Sequence, residues 1–91
     1  MLKRMKHAGP GTLKTLAALL QRLRELPLKE KSRGVFYFKS RAFLHFHEDA
    51  TGIFADLRAG DAWQRFRVST RRGQSVMLAK ARLLAVVKSA T

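Results

Sequence analysis

From Phe43 to Leu57 the chain reads FLHFHEDATGIFADL, and apolar and polar positions alternate along two successive arms. Leu44 and Phe46 alternate with Phe43, His45 and His47; Ile53, Ala55 and Leu57 alternate with Phe54, Asp56 and Arg58. Residues two apart point to one side of a strand, so each arm has an apolar face and a mixed face, and together they predict an antiparallel hairpin. Facing residues share a side. Pairing Phe46 with Ile53, Leu44 with Ala55 and Ala42 with Leu57 therefore satisfies both arms, with a turn from Glu48 to Thr51 closed by His47 and Gly52.

The alternation continues on either side. Val35 to Phe38 predicts a strand ahead of the hairpin, set off by a tight turn or bulge at Lys39-Ser40-Arg41. Beyond Leu57, Arg58-Ala59-Gly60-Asp61 reads as a turn and Trp63 to Ser69 as a fourth strand, with Phe66 and Val68 on one face and Trp63, Arg65 and Arg67 on the other. A turn at Ala59 to Ala62 sets Arg58 opposite Trp63, Asp56 opposite Arg65 and Phe54 opposite Arg67. That register offers one ion pair and two cation–π contacts.

The flanks change period. After the breaker cluster Gly9-Pro10-Gly11, Thr12 is a cap for a helix over residues 12 to 26, in which Leu13, Leu16, Ala17, Leu20 and Leu23 follow helical spacing until Pro27 intervenes. Leu28 to Gly34 reads as a charged connector, and Thr70 to Gln74 as a basic loop. Ser75 then caps a last helix reaching about Lys88, with Val76, Ala79, Leu83, Leu84 and Val87 as its buried stripe and Lys80, Arg82 and Lys88 solvated. The prediction is a single two-layer α+β domain over residues 12 to 91, with an N-terminal helix, a four-stranded antiparallel sheet and a C-terminal helix, preceded by a basic tail at 1 to 11 that carries His7. Leu16, Leu20, Leu44, Phe46, Ile53, Leu57, Phe66, Leu83 and Val87 are the expected core.

At 91 residues one modest core is affordable, and a chain without cysteine has neither disulfides nor thiolate chemistry. The lack of cysteine suits a cytoplasmic protein, and every apolar run falls far short of the roughly 18 residues of a membrane span. The formal net charge of +13 is unevenly spread: nine Lys/Arg against two acids in residues 1 to 33, three against four in 34 to 61, and seven against none in 62 to 91. Polyanions, nucleic acid first among them, are the natural partners, because phosphate neutralisation releases counterions. An acidic protein partner or a homodimer stays open as an alternative.

Two constellations share the mixed sheet face. Phe43, Phe54 and Trp63 among Arg58, Arg65 and Arg67 could stack bases and bind phosphates, with Lys39, Arg41, Arg71 and Arg72 as a phosphate-binding rim. On the same side His45 and His47, with Asp49 and Asp56, could hold a divalent metal or place a general base. Structural histidines and a solvated face explain the same residues. No phosphate loop, nucleophile elbow or other catalytic motif is evident, no cofactor is implied, and an interaction module without catalysis fits equally.

The segment GVFYFKSRAFLHFHEDATGIFADLR resembles the central part of the bacterial MmcQ/YjbR-like proteins, with Phe38, Lys39, Arg41 and Phe43 carrying the match. The resemblance implies a small bacterial α+β protein with a loosely attached DNA-binding role. It carries over no functional residue.

Overall fold

The structure, a computed structural model, describes residues 6–87. Strand β1 (Lys6–His7) leads into helix α1 (Pro10–Thr15) and helix α2 (Ala17–Leu23). Pro10 occupies the first turn of α1, where its fixed φ suits the helix and its missing N–H costs nothing. Thr12 is thus inside the helix, and Gly9 holds the cap position expected of Thr12. The helix breaks at Leu16, whose backbone (φ −96°, ψ 13°) leaves helical geometry. The apolar stripe survives the break, since Leu13, Leu16, Leu19, Leu20, Leu23 and Leu26 are all buried.

The chain then forms β2 (Lys29–Ser32), β3 (Val35–Phe38), β4 (Arg41–Asp49), β5 (Gly52–Ala59) and β6 (Ala62–Arg67). These pair antiparallel in the order β2-β3-β4-β5-β6, and β1 pairs separately with β4. The fold is α+β with an antiparallel sheet, but among the described residues it has six strands instead of the expected four. The expected connector Leu28 to Gly34 contains β2, whose Glu30 faces Phe36. Glu30 also grips its surroundings: its carboxylate accepts from Arg24 Nε and Nη2 (2.6 and 3.0 Å) and from Gly34 N–H (2.9 Å).

Lys39 and Ser40 make the β3–β4 turn with φ of 51° and 69°, the left-handed pair that a two-residue hairpin requires. The β4–β5 register is Phe46 with Ala55 and Leu44 with Leu57, two residues away from the expected pairing. A slip of two keeps every side chain on its face, so the face assignment holds although the turn shrinks to Ala50-Thr51. Asp49 builds that tighter turn by accepting from the Thr51 N–H (2.7 Å) and hydroxyl (2.6 Å). The β5–β6 register is the expected one, with Phe54–Arg67, Asp56–Arg65 and Arg58–Trp63 facing.

The helical leucines and the apolar strand faces form one core, with Phe36, Leu44, Phe46, Ala55 and Leu57 from the strands and Val68 from the segment just after β6. Ile53 and Phe66, expected in it, are only partly buried at its margin. Helix α3 (Arg71–Arg82) begins five residues earlier than expected: Thr70, not Ser75, is the cap, its Oγ1 accepting from Gly73 N–H at 3.1 Å. Thr70 to Gln74 is therefore mostly the first turn of a helix and not a loop. The buried positions of this helix are Met77 and Ala81, followed by Leu84 and Ala85 in a π-helical segment (Leu83–Val87). Val76 and Leu83, expected inside, are 52% and 48% exposed, and Ala79 is exposed too. The expectations for the side chain of Val87 and for Lys88 lie outside the described residues. No helix among the described residues is long and apolar enough to cross a membrane.

Candidate functional site

The sheet face turned away from the helices is built by β4, β5 and β6. Asp56 is its anchor. Although nearly buried at 7% exposure, its carboxylate accepts two bonds from Arg65, Nε to Oδ1 at 2.7 Å and Nη2 to Oδ2 at 2.8 Å. The Arg65 hydrogen bonds hold the Asp56 carboxyl below its ordinary range, outweighing the opposing effect of burial. Asp56 is thus ionised, and both its oxygens are engaged.

On either side of this pair, arginines lie over aromatic rings. The Arg58 guanidinium is 4.5 Å from the Trp63 ring centre, and that of Arg67 is 4.8 Å from Phe54. Each is also tied to backbone, Arg58 Nε to the Ala42 carbonyl (2.8 Å) and Arg67 Nη1 to that of Thr51 (2.6 Å). Gly52 (φ +153°) leaves room for this second bond, because a Cβ there would collide with the Arg67 guanidinium. The result is a row of preset guanidinium groups, with Trp63 42% exposed at one end.

Phe43 does not belong to this face. Between β3 and β4 the register advances one residue on β3, Phe36 to Tyr37, while it advances two on β4, Leu44 to Ala42. Phe43 is the extra residue, and its ring turns into the core, 4% exposed and packed on Phe38 at 5.5 Å. The rim is also divided. Lys39 and Arg41 lie at the β3–β4 turn, where with Arg58 they border an apolar pocket lined by Phe38, Phe43 and Leu84. At the other end Arg72 lines a shallow groove with Arg65 and Arg67, whereas Arg71 turns to the helical layer beside Arg22. The two neighbours thus serve different surfaces.

Next to the arginine row stands a cluster of histidines. His45 Nδ1 and His47 Nε2 are 2.7 Å apart, a hydrogen bond in which one ring nitrogen donates and the other accepts. His7 joins them from β1, its ring 4.7 Å from that of His47 and 6.0 Å from that of His45. Trp63 forms one wall, 4.8 Å from the His45 ring. Burial first, then repulsion by neighbouring cations, hold His45 and His47 below the ordinary histidine range, against the opposing pull of Asp56. The shift favours the uncharged rings.

His7, assigned to the tail by its sequence, is here because β1 pairs with β4, setting His7 opposite His47 and Lys6 opposite Glu48. Ala8 N–H bonds the Phe46 carbonyl (3.1 Å) and Gly9 N–H bonds Glu48 Oε2 (2.7 Å), so the entry to α1 is fastened to the same strand. A two-residue strand has no period to read. The only hint in the sequence is that the chain has three histidines and two of them are already adjacent on one face. Of the carboxylates expected beside the pair, Asp56 lies 3.9 Å from His47 Nε2, while Asp49 is folded into its own turn with Thr51.

Comparison with protein-family models, curated proteins and solved structures finds no match to this chain.

Proposed function

We propose that this protein binds nucleic acid, with little sequence preference, through the open face of its sheet. The observation that carries the reading is the row Arg58–Trp63, Asp56–Arg65 and Phe54–Arg67, three cross-strand pairs that fix guanidinium groups and aromatic rings side by side on the sheet face opposite the core. Backbone phosphates take the guanidinium groups, and an unpaired base stacks on Trp63. Arg72 extends the surface past β6, and Lys39 and Arg41 add cations at the β3–β4 turn beside Arg58. The formal charge of +13 supplies long-range attraction. Because the arginines are already held by Asp56, by rings and by backbone, little side-chain freedom remains to be lost on binding.

The test is fluorescence anisotropy of single- and double-stranded oligonucleotides over a salt series. Affinity should fall steeply with salt for the wild type. Trp63→Ala should weaken single-strand binding by about 1 to 3 kcal/mol at every salt concentration. Arg72→Ala should flatten the salt dependence, and Arg71→Ala should not. Absence of binding at low salt overturns the proposal. Binding weakened only by the arginine changes reduces it to unspecific attraction.

A further inference from the structure

All three histidines of the chain, 38 or more positions apart as His7 and the pair on β4, meet at one place on the open face. We propose that His7, His45 and His47 form a site for a divalent transition-metal ion of the zinc class, held by three imidazole nitrogens with its fourth position open.

The geometry supports it. One ligand nitrogen from each ring lies within 4.8 Å of the other two. Two nitrogens bound to a tetrahedral zinc at about 2.0 to 2.1 Å are about 3.3 Å apart. For three nitrogens to meet one ion, the 2.7 Å contact between His45 Nδ1 and His47 Nε2 has to open slightly and His7 has to draw in from within 4.8 Å. The backbone is prepared: His7 faces His47 across the ladder, and Glu48 fastens the following Gly9. The rings therefore converge before any ion arrives.

The donor set selects the ion. Imidazoles suit zinc, copper and nickel, whereas calcium and magnesium require oxygen ligands. Asp56 has both oxygens on Arg65 and lies 3.9 Å from His47 Nε2, so it is no ligand but a fixed negative charge beside the site that offsets part of the ion's charge. Asp49 is held by Thr51. The site thus uses His7 where the sequence suggested Asp49 and Asp56. Exposure of His7 leaves the remaining coordination position accessible to water or to an anionic ligand.

The full chain without a polyhistidine tag, stripped with chelator, is titrated with Zn²⁺ by calorimetry and with Co²⁺ by visible absorption, in the absence of nucleic acid. One ion per chain should bind, with the absorption of a four-coordinate cobalt centre. His7→Ala, His45→Ala and His47→Ala should each weaken binding by more than about tenfold, the least that loss of even an outer partner produces. His7 is exposed, so His7→Ala should keep the wild-type melting temperature, and a thermal melt of the variant separates lost binding from unfolding. Absence of saturable binding overturns the site, as does binding that His7→Ala changes by less than about twofold. Neither outcome bears on the oligonucleotide titration, because the metal site does not depend on the nucleic-acid reading.

Discussion

In β4 and β5 one face is sealed and the other open, and apart from the bulged Phe43 the side chains obey that division even though the register differs by two residues from the one their pattern suggests. In α3 and the segment after it, Val76 and Leu83 are exposed while Met77, Ala81, Leu84 and Ala85 are buried, a different stripe from the expected one. The difference lies in what the polar residues exclude. His45, His47 and Asp56 interrupt their strands at every second position, so only one face can be the core. From Val76 to Val87 only Lys80 and Arg82 are charged, and several helix rotations bury an equally apolar stripe.

The largest expected effect tests the strands. Phe46 is 3% exposed in the centre of the core, and Phe46→Ala should lower stability by about 3 to 5 kcal/mol in chemical denaturation. A loss below about 1 kcal/mol would mean that the apolar face of β4 is not the sealed one. The next effect tests the rotation of α3. Met77→Ala should cost about 2 to 5 kcal/mol, whereas Leu83→Ala should stay within about 0.5 kcal/mol. The reverse order would restore the stripe that the sequence suggests.

These contrasts show what could be read before folding. The three-pair register of β5 and β6 was legible because a short turn and alternating residues on both strands leave one consistent pairing. The bulge that buries Phe43 was not, since it depends on how β3 slides past β4. Nor was β2 legible: LKEKSRG has too little apolar content to signal a strand, and it pairs because an edge needs only one covered side. At the candidate site the residues of β4 to β6 were legible and His7 was not. Its position comes from hydrogen bonds of Ala8 and Gly9 to residues about 40 positions away.

A smaller effect concerns where α3 starts. Thr70→Ala removes the oxygen that accepts from Gly73 and should cost about 1 kcal/mol, while Ser75→Ala, inside the helix and exposed, should be close to neutral. Thermal melts of the two variants decide the point. Equal effects would mean that the first helical turn carries none of the stability of this end of the chain.

The smallest effect tests β2, the edge strand hidden in a charged segment. Its Glu30 carboxyl is held below the ordinary range chiefly by the hydrogen bond from Arg24, with Gly34 N–H adding to it and desolvation opposing. A carboxyl whose folded value is lowered stabilises the fold fully above its unfolded value, about 4.3, and the contribution disappears as pH falls through the lower folded value. Glu30→Gln keeps the shape and removes the charge. The melting temperature of the wild type should therefore exceed that of the variant by a constant amount from pH 7 to about pH 5.5, and the two should converge as pH falls below about 4. Added salt should narrow the gap at pH 7, because Arg24 is exposed and the pair is screened. A gap that persists unchanged at pH 3 would assign the effect of Glu30 to its packing and to the neutral hydrogen bond with Gly34, leaving the Arg24 pair without a share in holding β2 to the sheet.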